Sequence, residues 1–153
     1  MSLAAIGHEL NTASGEEIAR HLALCDDSFE PALSSRVNLR AYAMKIESKA
    51  ERFEAWSGNA LAGLVAVYLE RERSRAYVTN VSVLPALGGQ GIASALMRRC
   101  ILHAHVAEVA QVALEVGVHN LPAIELYKRL GFIRASTDGA IHKMIFDLRS
   151  WNP

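Results

Sequence analysis

Three glycines and a glutamine in Val83-Leu84-Pro85-Ala86-Leu87-Gly88-Gly89-Gln90-Gly91-Ile92-Ala93-Ser94 separate an aliphatic run from a long helical pattern. Glycine lets a backbone approach a ligand closely. A helix that begins at Ile92 offers its free N–H groups and the positive end of its dipole to an anion. The chemistry of such a turn is to cradle a pyrophosphate. A Walker loop would end in Gly-Lys-Ser/Thr, where this chain has Gly91-Ile92-Ala93. A dinucleotide fingerprint would follow the first strand and carry an acidic residue about 20 positions on. Taken alone, the glycine cluster is equally compatible with a structural turn that holds no ligand.

A second segment, Asn120-Leu121-Pro122-Ala123-Ile124-Glu125-Leu126-Tyr127-Lys128-Arg129-Leu130-Gly131-Phe132, has the punctuation of a well-capped helix. Asn120 is the N-cap, Pro122 fits the first turn, and Gly131 ends it. Tyr127 puts a phenol on this helix, and Glu115, twelve residues earlier, puts a carboxylate on an otherwise aliphatic strand. On an alternating strand Glu115 points away from Leu114 and Val116. Cys100 and His103 stand at i, i+3, but a small thiol on an apolar helix is ordinarily core. His103 and His105 diverge on a helix and no carboxylate completes a set with them, so no metal is expected. His119 adjoins Asn120 and could line a cleft there, though a histidine at a helix entry is more often solvated.

The elements that must position these groups follow from capping, periodicity and turns. An alternating start over Ala4 to Leu10 predicts a strand, and Ser14 with Glu17 has capping-box spacing before Ile18, Leu22 and Cys25. After Pro31, Asn38 caps a second helix carrying Leu39, Tyr42, Ala43 and Ile46. Strands follow from Phe53 to Trp56, Leu61 to Leu69 and Tyr77 to Leu84, with Arg71 to Arg75 as a solvated hairpin tip. Then come a helix from Ile92 to Val109, a strand from Gln111 to Val116 and the helix from Leu121 to Leu130. Two strands close the chain, Phe132 to Ala135 and Ile141 to Leu148, joined by Ser136-Thr137-Asp138-Gly139. The order β-α-α-β-β-β-α-β-α-β-β implies a mixed, largely antiparallel sheet, in which the helix after Ile92 crosses over between two parallel strands.

With 153 residues, 51% hydrophobic and 21% charged, the chain has the size of a single domain, 1–153, with one core. Sixteen basic and sixteen acidic residues give a net charge of zero, so no general field draws nucleic acid or an anionic membrane. Apolar runs such as Ala60 to Leu69 fall short of the ~20 residues of a spanning helix. The opening Met-Ser-Leu-Ala-Ala lacks a basic leader, and Cys25 and Cys100 stand alone, which fits reduced thiols in the cytoplasm.

In this order and about thirty residues apart, the two segments resemble motifs A and B of the GNAT superfamily of N-acetyltransferases. These motifs are a Q/R-x-x-G-x-G/A turn and then N-x-x-A-x-x-L-Y-x-x-x-G-F. Gly91 and Ala93 match the first; Asn120, Ala123, Leu126, Tyr127, Gly131 and Phe132 match the second. The resemblance implies a single-domain α/β (α+β) fold, a mixed, mostly antiparallel twisted sheet of about seven strands flanked by four helices. It implies acetyl-CoA as co-substrate, with no metal, held by Val81, Ser82, Val83, Gly88, Gly89, Gln90, Gly91, Ile92, Ala93, Ser94, Asn120 and Tyr127. It also implies a β-bulge in the strand Tyr77 to Leu84, splaying it from Gln111 to Val116 to open a cleft for pantetheine. Gly88 stands where the family has Arg or Gln, which implies weaker cofactor affinity with the backbone amide retained.

Direct acetyl transfer to an amine sets chemical demands that the resemblance assigns. An alkyl ammonium with a pKa near ~10 must lose a proton before it attacks a thioester. Glu115 is the candidate base, because Leu114-Glu115-Val116 resembles the branch that acetylates ribosomal protein N-termini. Backbone N–H groups around Val81 to Val83 would meet the oxyanion, and Tyr127 would protonate the leaving thiolate. Alternatives are an N-terminal protein acetyltransferase and a non-catalytic acyl-CoA sensor. The expected acceptor is a small-molecule amine such as an amino sugar. The segment Ser28 to Lys49, with Arg36, Arg40, Tyr42 and Lys45, is expected to wall the acceptor end. The last strands of such domains often pair across dimers, so a homodimer is an expectation here.

Overall fold

The computed structural model describes residues 5–29 and 31–153. Along them run β1 (Ile6–Leu10), α1 (Gly15–Cys25), α2 (Leu39–Lys49), β2 (Glu51–Ser57), β3 (Ala60–Glu70), β4 (Arg75–Val83), α3 (Ile92–Val106), β5 (Gln111–Gly117), α4 (Leu121–Leu130), β6 (Ile133–Asp138) and β7 (Ile141–Asp147). This is the expected α/β order. Ala4, where the first strand was expected to begin, lies outside the described residues. Among them no helix is long and apolar enough to cross a membrane.

Local chemistry accounts for the helix ends. The Ser14 hydroxyl accepts from Glu17 N–H, while the Glu17 carboxylate accepts from Ser14 N–H, a complete capping box. Asn38 accepts from Ala41 N–H at 2.9 Å and starts α2. Most strand ends shift by a residue or two, Arg75 joining β4 rather than the hairpin tip, and the larger departures are at the end of α3 and in β6. α3 stops at Val106, because Glu108 turns into the left-handed region (φ 62°) and Ala110 N–H pairs with the Ser74 carbonyl, directing the chain into β5. Ser136 to Asp138 belong to β6, paired with β7, and the turn is confined to Gly139-Ala140, where Gly139 takes φ 59°.

The sheet order is β1-β2-β3-β4-β5-β7-β6. Parallel pairing joins β4 to β5 across the α3 crossover, and the other neighbours are antiparallel. On one face α1 and α2 bury Ile18, Leu22, Ala43 and Ile46 against Leu61, Leu64 and Ala66. On the other, α3 and α4 bury Leu96, Met97, Cys100 and Ile124 against Val65, Val67, Val112 and Leu114.

Two irregularities break this sheet at its centre. The register of β4 against β3 runs Ala66 with Asn80 and then Val67 with Val78, so Thr79 is the extra residue of a β-bulge. The bulge changes which face alternate residues take: Ala76 and Val78 pack with the α3 side, as do Val81 and Val83, while Asn80 and Ser82 turn toward α1. Tyr42 of α2 holds the irregularity by donating its hydroxyl to the Thr79 carbonyl at 2.7 Å. Pairing of β4 with β5 ends at Val78 with Leu114, although the strands run on to Val83 and Gly117. Beyond that pair they splay.

Candidate active site

The splay opens a cleft of about 480 Å³. Its sides are Val78 to Val83 of β4 and Leu114 to Gly117 of β5, with Asn120, Ala123, Leu126 and Tyr127 along α4 and Ala93 at the start of α3. Across from these, the connection between α1 and α2 contributes Phe29, Leu33, Arg36 and Val37, and α2 contributes Tyr42.

At one end lies the glycine-rich turn. Gly89 and Gly91 take φ of 77° and 79°, where any side chain is strained, and Gly91 is the N-cap of α3 with no side chain to cap it. Among the described residues, no acceptor in the chain takes the N–H groups of Gly89, Gln90, Gly91, Ile92, Ala93 or Ser94. Six consecutive donors at a helix start are the complement of a pyrophosphate. Gly88 differs from expectation: its N–H donates to the Pro85 carbonyl at 3.2 Å, closing a 3-10 turn, so that amide is not free for a ligand. Side chains here are secondary. Gln90 is exposed, Ile92 is buried against Gly63, and the Ser94 hydroxyl accepts from Arg98 at 2.7 Å.

Along β4 the ladder fixes which amides face the cleft. Leu84 N–H donates to the Ala62 carbonyl at 2.8 Å, so by antiparallel alternation Ser82 and Asn80 direct their backbone groups to β3. Val81 and Val83 therefore turn their N–H groups into the splay. The Ser82 amide is committed to β3, its hydroxyl is bonded to His21 and Asn80, and the residue is one of those lining the cleft.

Tyr127 projects from α4 with its ring against Phe132, centroids 5.8 Å apart. Only 6% of the residue is exposed, and burial pushes its pKa well above the ordinary phenol value. A phenol held in the neutral form is a proton donor at neutral pH. Asn120 starts this helix, its Oδ1 accepting from Ala123 N–H at 3.4 Å. Gly131 ends it at φ 111° under the Phe146 ring, which fixes the position of Tyr127 through the bond from Phe132 N–H to the Tyr127 carbonyl.

Glu115 is exposed and lines the cleft opposite Leu114 and Val116, which are core. It faces Tyr77, whose pKa is pushed up to about 12 by burial and then by the Glu115 charge. The sequence carries no site signal at Tyr77, Thr79 or Asn80: the placement of Thr79 and Asn80 depends on the bulge and that of Tyr77 on the parallel pairing with β5, and neither leaves a local signature. Of the four residues expected on the acceptor wall, Arg36 and Tyr42 line the cleft. Arg40 lies 3.9 Å from Glu16 and Lys45 sits over the Tyr68 ring at 5.4 Å, both away from it. Cys100 is fully buried with its thiol pKa raised to about 12 by burial, and His103 stacks edge-on with Phe53. Among the described residues no three His, Cys, Asp or Glu side chains converge as a metal site.

Comparison with known proteins agrees with this geometry. The chain is 34% identical over 83 residues to streptothricin acetyltransferase of Streptomyces lavendulae, covering 54% of this chain and 44% of that protein. It is 42% identical over 65 residues to N-alpha-acetyltransferase MAK3 of Arabidopsis thaliana, covering 42% and 34%. The chain thus spans less than half the length of either relative. A Bacillus subtilis acetyltransferase solved in complex with CoA superposes with a TM-score of 0.72 at 17% identity, over 94% of this chain and 99% of that one, a likeness of fold. Residues 16–132 match the acetyltransferase (GNAT) family, to which this chain belongs.

Proposed function

We propose that the chain is an acetyl-CoA-dependent N-acetyltransferase that acts on the primary amine of a small molecule by direct attack. The observation that carries this is the run of unpartnered N–H groups from Gly89 to Ser94 at one end of a cleft whose wall presents the Tyr127 phenol. The splay admits an extended pantetheine arm, and the turn offers its pyrophosphate a cradle of backbone donors. Acetyl-CoA supplies the activated acyl carbon. The chain's own residues do the rest. In this reading the Val81 and Val83 N–H groups receive the oxyanion, as fixed dipoles that need no reorganisation. Tyr127, a neutral phenol on the cleft wall, hands a proton to the departing thiolate. Glu115, at the open side of the cleft, attracts the ammonium and takes the proton it must lose before attack.

Phe29, Leu33, Arg36 and Val37 close over the acceptor side, which supports a small amine rather than a polypeptide. Of the two relatives above, streptothricin acetyltransferase agrees with this acceptor class, and MAK3 favours a protein α-amine as the alternative. Two free buried thiols fit a reducing compartment, the cytoplasm. We also place residues 1–153 in one domain, with β6, an edge strand exposed along its length, as the edge for a homodimer. The test is thiol release from acetyl-CoA with amino sugars, polyamines, amino acids and N-terminal peptides, alongside calorimetric binding. Turnover with small amines is the expected result. Turnover with peptides alone would favour the alternative, binding without turnover a sensor, and no binding at millimolar acetyl-CoA would refute the whole reading.

A further inference from the structure

His21 of α1 is 2% exposed and uses both ring nitrogens. Nδ1 lies 2.9 Å from the Leu61 carbonyl oxygen and Nε2 lies 2.9 Å from Ser82 Oγ. A carbonyl only accepts, so Nδ1 carries a proton, and Nε2 of the neutral ring must accept from the Ser82 hydroxyl. Ser82 Oγ is also 2.7 Å from Asn80 Oδ1, which likewise only accepts. One hydroxyl proton therefore serves two acceptors, and with a neutral His21 one of them goes without.

With one more proton the chain of bonds is complete. Nδ1–H donates to Leu61, Nε2–H donates to Ser82 Oγ, and the Ser82 hydroxyl donates to Asn80 Oδ1. Burial lowers the His21 pKa and keeps the ring neutral at rest, while the bonds to Leu61 and Ser82 act in the opposite direction. The arrangement is thus empty of its proton but shaped to hold it. The charged and titratable groups near it are few. From α1, the Cys25 sulfur lies 3.7 Å from Nε2, its thiol pKa raised to about 11 by burial, and Glu17 and Arg20 line the small outer pocket that His21 borders. β3 and β4 present only the uncharged Leu61 carbonyl, Ser82 and Asn80, with Tyr42 of α2 beyond.

Acetyl transfer releases two protons from the nitrogen: one from the ammonium before attack, and one from the adduct as it collapses to the amide. Glu115, exposed at the open side, suits the first. The second is released inside the cleft, which Ser82 lines. We propose that Ser82 and His21 take this second proton, a role that rests on the acetyltransferase reading. The N–H bond of the adduct breaks as its proton passes to Ser82 Oγ, and the Ser82 hydroxyl proton passes to His21 Nε2. The nitrogen keeps the electron pair, the positive charge moves to the imidazole, and the thiolate is protonated separately by Tyr127. Ser82 touches substrate and is the catalytic residue of the pair, and His21 acts through it.

The experiment compares the parent with Ser82→Ala, Ser82→Thr, His21→Gln and Glu115→Gln, all in the full chain. For turnover, Ser82→Ala and His21→Gln are expected to lower kcat by roughly 10²-fold or more, the usual worth of a proton acceptor. Acetyl-CoA affinity by calorimetry should stay within about threefold, and Ser82→Thr, which keeps the hydroxyl, should recover most of the rate. The acidic limb of the kcat profile should disappear in His21→Gln and persist in Glu115→Gln. Ser82→Ala within about threefold of the parent, with the same acidic limb, would overturn the assignment. A second readout needs no acceptor: imidazole nitrogen NMR on the protein alone should find the Nδ1–H tautomer at pH 7.5, with protonation below the ordinary ~6.5. Ser82→Ala should move that midpoint down by about one pH unit, since it removes the acceptor of the charged form. An unmoved midpoint would overturn the proposal even if the parent turned over no amine, an outcome that would separately refute the acetyltransferase reading.

Discussion

Gly91→Ala, set against Gly88→Ala, isolates what the turn before α3 does. Gly91 holds φ 79°, and a Cβ built there meets no atom within 4 Å, so the substitution adds strain and no collision. For an L-residue that strain costs about 1–2 kcal/mol. In a domain of this size such a loss lowers the thermal midpoint by roughly 2–8 °C. Relief of the strain rotates the N–H groups that follow, and each charge-assisted bond lost to a pyrophosphate is worth about 1.5–3 kcal/mol, or roughly 10- to 150-fold in affinity. Gly88 has φ −65°, and its added Cβ would meet only the Pro85 oxygen at 3.5 Å. Alanine fits there and should leave stability unchanged or raise it by up to about 1 kcal/mol, by restricting the unfolded chain. Thermal melts with and without acetyl-CoA, plus calorimetry, read both variants. If Gly91→Ala matched the parent in midpoint and affinity, or if Gly88→Ala did equal damage, the argument that φ and free amides govern the cradle would fail.

Three further outcomes follow from the same structure. Tyr127→Phe keeps the ring packing and removes the proton donor, so kcat for thiol release should fall by roughly 10²- to 10⁴-fold with acetyl-CoA affinity nearly unchanged; turnover within about threefold of the parent would remove Tyr127 from the mechanism. Glu54, fully buried, accepts from Thr12 N–H and hydroxyl, Ala13 N–H and Trp56 Nε1–H, and lies 3.6 Å from buried Arg52. Glu54→Gln leaves Arg52 unpaired and should cost about 3–5 kcal/mol in a denaturant titration, whereas a loss under about 1 kcal/mol would contradict that account. His21 has its pKa lowered by burial, so below about pH 6.5 the unfolded chain takes up a proton that the folded chain refuses, and stability falls as pH drops through that window. Melts from pH 7.5 to 5.0 should record a smaller drop for His21→Gln than for the parent, and equal drops would count against a buried neutral imidazole.

What the sequence by itself determined was local. Capping, 3.6-residue periodicity and turn glycines act over three or four residues, so Ser14 with Glu17, Asn38, Asn120 and Gly131 mark helix ends that the structure places at those positions. The glycines of the turn at Gly89 and Gly91 follow from the same logic, because their φ values exclude side chains whatever surrounds them. The tertiary structure decided what depends on pairing. Nothing in the residues around Thr79 says that it will be the unpaired one, since a bulge is a property of two strands in register. That one extra residue sets which way the side chains of β4 turn, so Asn80 carried no sign of a site, and Ser82, expected to hold the cofactor, gave no sign of its bond to His21. The end of α3 at Val106 was hidden for a similar reason, because Ala107 to Val109 have helix-compatible side chains and are turned by the bond from Ala110 to Ser74. His21 meets Ser82 across sixty-one positions in the chain. A lone histidine on an amphipathic helix carries no sign of its partner, because the partner is supplied by the sheet face packed against that helix, whose twist and register no local signal records.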